Sequence, residues 1–445
     1  MAQARAAFAA YLDRRVLMVL VLGFASGLPL LLTFSTLSAW LKGAGISRTA
    51  IGVFALVGTP YAFKFLWSPL IDRLPLPVLT RVLGRRRSWG LVIQIMLMVA
   101  TLALGATDPS HDLVRMAQLA VLVAFLSASQ DIVIDAYRVE VLDSENQGPG
   151  AGAALAGYRT GMLMAGAGAL YLAESFGWFV AYAAMAALLI PGMLIFLLGP
   201  EPTVKVSAAT AERERRAAEY LTARPHLRGP LAQVAAWLHG ALVCPFADFM
   251  NRQGWLVVLI FVVGYKLGEA MAGAMANTLY VELKFTLEEI AWVSKVFGFG
   301  ATVLGSMIGG ALVVRMGVMR ALLLFGILQS AGNLFYALQA VSGHDIRVLA
   351  LCVAAENLTA GMAGAALVAY ISGFCNAAYT ATQYALLSSL TAVGRTMFAS
   401  TSGLLADTLG WVDFFLLTTV VTVPALLLLI WMMRKLPMEP AGQQA

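Results

Sequence analysis

From near Val16 to near Met433, apolar stretches of roughly 20 residues alternate with short polar turns, and about 20 helical residues at 1.5 Å rise are what crosses a bilayer. About twelve such spans can be read, at approximately 16–41, 51–70, 88–107, 113–138, 150–173, 178–199, 255–280, 288–314, 318–341, 346–374, 377–404 and 411–434. The pattern predicts an all-α membrane protein. One long polar interruption divides the spans six and six, which gives an N-terminal bundle at 1–200, a linker at 201–254 and a C-terminal bundle at 255–445. Within the linker, Glu212 to Arg228 has mixed charge and reads as an exposed helix. Leu231 to Phe249 carries Val234, Trp237, Leu238, Leu242 and Phe246 with few charges. This amphipathic piece reads either as an interfacial helix or as one packed on the ends of the bundle.

A weak internal repeat supports the division, since transporter folds are commonly built by duplication. Basic turns follow span 2 (Asp72, Arg73, then Gly84, Arg85, Arg86) and span 8 (Arg315, Gly317, Arg320). Span 5 ends in Leu172, Ala173, Glu174, Ser175, Phe176, Gly177, Trp178, and span 11 ends in Leu405, Ala406, Asp407, Thr408, Leu409, Gly410, Trp411. The glycines of span 5, from Gly148 to Gly168, and Gly305, Gly309 and Gly310 of span 8 allow close helix contact. No strand precedes them, so they are not phosphate loops.

Composition agrees: 60% hydrophobic and 12% charged residues are more apolar than a soluble core absorbs. The net charge of +6 is explained by its placement. Arg5, Arg14 and Arg15 precede span 1; Arg73, Arg81, Arg85, Arg86 and Arg87 follow span 2; Arg213 to Arg228 lie in the linker; Arg434 and Lys435 close span 12. The alternate loops carry only scattered cations such as Lys42, Arg48, Lys284 and Arg347, so both termini are expected in the cytoplasm and no nucleic-acid partner is needed. Residues 1–15 lack a signal-peptide pattern. Cys244, Cys352 and Cys375 are far apart, so neither a disulfide framework, a metal site nor a cofactor is expected. A monomer in contact with lipid is the expected assembly.

Nine charges fall inside the spans: Lys64, Asp131, Asp135, Arg159, Lys266, Glu269, Lys295, Glu356 and Arg395. Facing lipid, they would together cost roughly 22 to 31 kcal/mol, so they are expected to face protein or a water-filled cavity. One basic residue falls in each of spans 2, 5, 8 and 11, the acids fall in spans 4, 7 and 10, and spans 3, 6, 9 and 12 hold none. A period of three helices repeated four times is what the major facilitator fold would produce. In that fold, spans 1, 4, 7 and 10 line a central cavity.

Ser127, Asp131, Asp135 and Arg138 share one face of span 4. Asp131, Lys64 and Arg159 lie at similar depth, so Asp131 is expected either to change its proton affinity as Lys64 or Arg159 approaches or to sit in a fixed salt bridge. No His lies inside a span, which leaves Asp131, Asp135, Glu269 and Glu356 as proton carriers. Asp135 and Arg138 also lie beside the turn after span 2 and suggest a cytoplasmic gate with Asp72, Arg73 and Arg85. Charge partners or substrate ligands are sought among Lys64, Gln130, Tyr158, Arg159, Tyr265, Lys266, Asn277, Lys295, Asn357, Gln383 and Arg395, with Tyr384 as a further polar residue. The uncharged ones suit sugar hydroxyls or peptide amides and equally suit helix packing. No His-rich, Cys-rich or paired-carboxylate constellation marks a membrane enzyme.

At these positions the sequence resembles the AmpG family of muropeptide permeases. The matching stretches are Leu22–Leu30 (LGFASGLPL), Phe63–Arg73 (FKFLWSPLIDR) with Gly84–Arg87 (GRRR), Ser127–Ala136 (SASQDIVIDA), Gly150–Met162 (GAGAALAGYRTGM), Tyr265–Glu269 (YKLGE), Arg320–Gln329 (RALLLFGILQ), Glu356 with Asn357, and Ala381–Arg395 (ATQYALLSSLTAVGR). The resemblance implies the major facilitator fold in a bacterial inner membrane. It also implies proton-driven import of GlcNAc-anhydro-MurNAc and its peptides from periplasm to cytoplasm, for peptidoglycan recycling and the signal that induces β-lactamase, and hence antibiotic resistance. The family's functional positions map onto Lys64, Gln130, Asp131, Asp135, Arg159, Lys266, Glu269 and Glu356. Two departures are visible. The central linker looks longer than usual, and the chain stops after span 12 where some members continue. A related importer of a siderophore or an acetyl-CoA-like nucleotide is the alternative.

Overall fold

The computed structural model describes residues 10–47, 50, 54–202, 244–375 and 379–436. The side chains of Lys295 and Arg395, and residues 203–243 of the linker, lie outside what is described. Among the described residues the chain is helical, and nine helices are long and apolar enough to cross a membrane. They are span 1 (Arg14–Gly43), span 3 (Arg85–Gly105), span 4 (Leu113–Val141), span 6 (Trp178–Leu198), span 7 (Trp255–Glu282), span 8 (Trp292–Met316), span 9 (Val318–Ser342), span 10 (Ile346–Phe374) and span 12 (Trp411–Lys435). Spans 5 (147–176) and 11 (Thr380–Leu409) are continuous but less apolar, and span 2 (54–73) is built of short pieces broken at Lys64 and Trp67. These are three of the four spans in which the sequence places a lone basic residue.

The threefold period is visible in the backbone. Gly84, Gly177, Gly317 and Gly410 close the turns before spans 3, 6, 9 and 12, with φ of 87°, 86°, 80° and 77°. Each donates its N–H to the carbonyl four residues back and accepts from the N–H four residues on. One residue thus ends one helix and starts the next. Its ψ is extended, between 155° and 174°, a combination essentially confined to glycine. Fourteen residues beyond Gly177 and Gly410 stand Pro191 and Pro424, where spans 6 and 12 both break and restart. Spans 4 and 10 are each 29 residues long, and each is capped by an aspartate that accepts backbone N–H groups of its first turn, Asp112 and Asp345.

Each half packs its own apolar clusters. One, around Leu28, Leu97, Val123 and Met185, sits in the first six spans; others, around Phe261, Phe325, Tyr370 and Leu429 and around Leu279, Tyr336, Leu349 and Phe415, sit in the last six. The halves meet at the end that carries Arg14, the 73–85 turn and both borders of the linker, called here the linker end. There span 5 packs on spans 8 and 10, and spans 2 and 4 pack on span 11. Gly148 and Gly310 face each other so closely that a Cβ on either would stand 2.6–2.7 Å from the other's carbonyl oxygen. Tyr11 donates to the Met307 carbonyl at 2.5 Å across the same seam. At the opposite, far end, the segments Ala169–Phe176 of span 5 and Ala291–Phe297 of span 8 pack within their own halves, with Tyr171 and Phe297 exposed. Among the described residues the broad contacts between the halves lie at the linker end, and the far-end segments pack within their own halves.

Of the amphipathic linker piece, the described turns Cys244–Met250 pack onto the C-terminal half. Phe249 is buried edge-on against Phe374, and Arg252 donates to the Phe374 carbonyl. For these residues the packed alternative applies.

Candidate functional site

Two charge clusters lie within the spans, one in each half. In the N-terminal half, Lys64 stands where span 2 is broken, and the break turns its chain toward span 4. Its Nζ lies 3.9 Å from Asp135, whose other oxygen is 3.9 Å from the buried Arg138. Asp131, one turn away on the same face of span 4, accepts from Ser26 Oγ of span 1 at 2.5 Å and feels the Lys64 charge, with no ion-pair contact among the described residues. The Tyr61 hydroxyl, one turn before Lys64, adjoins Ser127, Thr33, Tyr158 and Asp131.

In the C-terminal half, Lys266 interrupts span 7 between Trp255–Tyr265 and Leu267–Glu282. It pairs with Glu269, which also accepts from Gln329 of span 9, and it lies 3.4 Å from the Ala360 carbonyl. Glu356 of span 10 lies within reach of the charges of this pair, and its carboxylate has no ion pair or hydrogen bond among the described residues. The charges of Lys266 and Arg159 both reach Glu269 and Glu356. Arg159, from span 5 of the other half, is therefore a cross-half counter-charge for the C-terminal carboxylates. The sequence expectation set Lys64 or Arg159 beside Asp131; of the two, Lys64 stands there.

The residues expected from the sequence to form a gate lie in a third cluster at the linker end. Arg86 is 2% exposed and bridges Asp72 at 2.7 Å and Glu140 at 2.5 Å. Asp72 in turn accepts the Thr382 N–H at 2.8 Å and the Thr382 hydroxyl at 2.7 Å, at the start of span 11 in the other half. A carboxylate there completes unpaired N–H groups and meets the positive end of the helix dipole. Arg138 lies 5.2 Å over the Tyr384 ring and Arg73 lies 5.7 Å over Tyr379, so two cation–π contacts tie the same ends together. Arg85 adds positive charge near Asp72. Glu201 caps the start of span 3 through the N–H groups of Arg86 and Arg87.

Several sequence candidates are engaged in holding helices. Gln130 donates to the Ala25 carbonyl at 2.9 Å and is fully buried. Tyr265 turns into the C-terminal core and donates to the Leu322 carbonyl at 2.9 Å. Asn357 accepts from Thr302 Oγ1 at 2.8 Å, and Gln383 donates to Asp248 at 2.8 Å. Tyr158 adjoins the Asp131 cluster, whereas Asn277 is exposed. Four participants were missed: Ser26, Tyr61, Arg86 and Glu140. Tyr61 stands three residues before Lys64, at helical spacing, and Ser26 lies within the stretch LGFASGLPL. Arg86 is a turn charge in the sequence reading and Glu140 lies just beyond the expected end of span 4; span 3 starts at Arg85 and span 4 runs to Val141, which puts both inside helices. Among the described residues no group of His, Cys, Asp and Glu could hold a metal ion.

The arrangement has relatives. The family described as Acetyl-coenzyme A transporter 1 matches residues 15–176, and the Major Facilitator Superfamily matches residues 254–445. The anhydromuropeptide permease of Escherichia coli strain K12 is 42% identical over 94% of this chain and 79% of its own length. A Rickettsia conorii transporter named AmpG 4 is 34% identical over 95% of this chain and 97% of its own. Among solved structures, the proton:xylose symporter XylE bound to 6-bromo-6-deoxy-D-glucose superposes with a TM-score of 0.67 at 11% identity, covering 99% of this chain and 97% of that one. The human organic anion transporter MFSD10 does so with a TM-score of 0.59 at 15% identity, covering 96% and 99%.

Proposed function

The chain belongs to the AmpG family of anhydromuropeptide permeases within the major facilitator superfamily, and on that premise we propose that it imports anhydro-muropeptides across the inner membrane, driven by protons. It is a multi-pass membrane transporter rather than an enzyme. The observation that carries the cargo is the 42% identity to the anhydromuropeptide permease over 94% of the chain. The proposed cargo is GlcNAc-anhydro-MurNAc with or without its peptide, carried from periplasm to cytoplasm for peptidoglycan recycling and the induction of β-lactamase.

Arginines cluster at the linker end, which orients that end to the cytoplasm under the positive-inside rule. The form in which the halves meet at that end is then the one that receives cargo from the periplasm. Asp131 and Glu356, one in each half, have no ion-pair contact among the described residues and are the proposed proton sites. Protonation leaves Lys64 and Arg159 less balanced, so an anionic muropeptide and a proton favour the same loaded state. Rocking of the halves then separates Asp72 from Thr382 and Arg138 from Tyr384, and the cargo leaves at the linker end.

The match of residues 15–176 to the acetyl-coenzyme A transporter family favours a second reading, a nucleotide-conjugate cargo carried by the same cycle. Uptake of labelled GlcNAc-anhydro-MurNAc tripeptide into proteoliposomes, with and without an inward proton gradient, separates the two. Gradient-dependent accumulation is expected; no uptake by folded protein transfers the proposal to acetyl-CoA-like cargo.

A further inference from the structure

Two residues outside the charge clusters hold the break in span 2. The break itself has a local cause: Pro69 lacks an N–H and its ring crowds the carbonyl of Phe65, so a regular helix cannot run through. The Ser68 hydroxyl serves the Phe65 carbonyl instead, at 3.0 Å, and Lys64 to Leu66 wind as a tight 3₁₀ turn in which the Trp67 N–H meets the Lys64 carbonyl. Pro69 dictates that the helix breaks. It does not dictate which way the broken turn points.

That direction is set from span 4. Trp67 Nε1 donates to Ser129 Oγ at 3.0 Å, Ser129 Oγ donates on to the Phe125 carbonyl at 2.7 Å, and the indole lies against the Phe125 ring with centroids 4.8 Å apart. Ser129 is 4% exposed. Lys64, from the other end of the same turn, reaches to 3.9 Å from Asp135. At about 100° per helical residue, Ser129 and Asp131 point to nearly opposite sides of span 4, so Trp67 and Lys64 reach that helix on different sides. The turn also packs on span 11 across the seam, so both halves touch it.

We propose that the bond from Trp67 to Ser129 ties the broken turn to span 4 and so keeps Lys64 beside Asp135 and Asp131 while the halves rock. Trp67 and Ser129 are then positioning residues that act through Lys64, and the inference rests on the proton-driven reading above. Without the tie the turn can follow span 11, and Lys64 draws away from both carboxylates. The charged and titratable groups that face them are Lys64 and Tyr61 from span 2, Arg138 from span 4, Cys375 from the end of span 10 and Tyr384 from span 11. Of these, Lys64 hangs on the tied turn. A more distant cation favours a charged carboxylate less, so the carboxylates then load at a lower proton concentration. Indole and hydroxyl do not titrate in this range, so any change in pH dependence has to come through Lys64.

The test compares Trp67→Phe, which keeps a ring against Phe125 and loses the N–H, with Ser129→Ala and with the double variant, each reconstituted as the full chain into liposomes beside wild type. In both single variants the pH of half-maximal cargo-coupled proton uptake is expected to move toward alkaline pH by about half a unit or more. The double variant should move no further than either single, since all three lose the same bond. Exchange of labelled against unlabelled GlcNAc-anhydro-MurNAc at one acid pH on both sides should stay within about twofold of wild type, which reports that the variants are folded. An unchanged or acid-shifted midpoint in either single variant overturns the tie, and so does a double variant that shifts by the sum of the two. Loss of exchange in both single variants would make the bond a structural one and also overturns it. Cargo movement by wild type without protons instead removes the proton-driven reading, and the inference with it.

Discussion

The carboxylate of Asp72 accepts both the backbone N–H and the hydroxyl of Thr382, 310 residues further along the chain, at 2.8 and 2.7 Å. Asp72 is the pivot of a network that joins the halves, since Arg86 holds it from one side and the first turn of span 11 from the other. Replacing Asp72 by Asn keeps the shape but removes the charge that meets the helix dipole, and it leaves Arg86 to Glu140 alone. The variant is expected to open more often at the linker end. Thiol labelling of the part-buried Cys375, which caps the end of span 10, should rise several-fold in Asp72→Asn, and labelling at the wild-type rate would remove the pivot role.

Arg86 neutralises two buried carboxylates, so its loss differs from that of a surface cation. Arg86→Leu strands Asp72 and Glu140 together, and breaking a buried ion network from one side costs about 3–5 kcal/mol. A marked fall in the detergent unfolding temperature is expected. The triple change Asp72→Asn/Arg86→Leu/Glu140→Gln should recover much of it, because no uncompensated charge then remains.

Three of the four glycine turns make a graded prediction. Gly177→Ala and Gly410→Ala place a Cβ in open space, so backbone strain of about 1–3 kcal/mol is their whole cost. Gly84→Ala adds a clash, because its Cβ would stand 2.3 Å from Cδ of Glu201, which caps span 3. Thermal shifts in the order Gly84 greater than Gly177 and equal to Gly410 are expected; equal shifts at all three would discount the Glu201 contact.

Much of this architecture was legible in the chain because bilayer length, cation placement and the three-helix charge period are properties of one dimension. The Gly177 and Gly410 matches announced turns that the backbone then shares with Gly84 and Gly317. The site was less legible. Lys64 and Asp131 at similar depth suggested their meeting, but depth is silent on azimuth. Arg159 therefore turned out to serve Glu269 and Glu356 across the seam. Gln130 and Tyr265 have the polarity of ligands and are spent on carbonyls of neighbouring helices, a choice that depends on which helix stands opposite. Arg86 and Glu140 escaped notice because a charge at a helix end reads as solvated until a second helix covers it.

At the far end, Thr286 and Glu289 cap span 8 reciprocally: Glu289 Oε2 accepts the Thr286 N–H at 2.8 Å, and Thr286 Oγ1 accepts the Glu289 N–H at 3.2 Å. The Thr286 N–H first, and then His344, hold the Glu289 carboxyl below its ordinary range. A lowered carboxyl adds stability above its unfolded value and loses it as the pH falls through the folded one. Hydrogen exchange of the Leu287–Ile290 amides, corrected for intrinsic rate, should be flat from pH 8 to 5 and rise only in stronger acid. A rise near neutral pH would mean that His344, not the cap, holds Glu289.

Asp131 and Glu356 differ in depth. Asp131 is ten residues from the linker end of span 4, and Glu356 is ten from the far end of span 10. Glu356 is therefore the carboxylate nearer the far end, which is the periplasmic side in the proposed orientation. Asp131, held by Ser26, is nearer the linker end, from which a proton would leave in the proposed cycle. If both are loaded in turn, neutral substitutes uncouple transport in different ways. Glu356→Gln should abolish cargo-coupled proton uptake while leaving exchange of cargo intact. Asp131→Asn should allow loading but slow the return of the empty carrier, so that net uptake falls at least tenfold and exchange does not. Full proton-driven uptake by Asp131→Asn would make its bond to Ser26 a structural one and leave Glu356 as the sole coupling site.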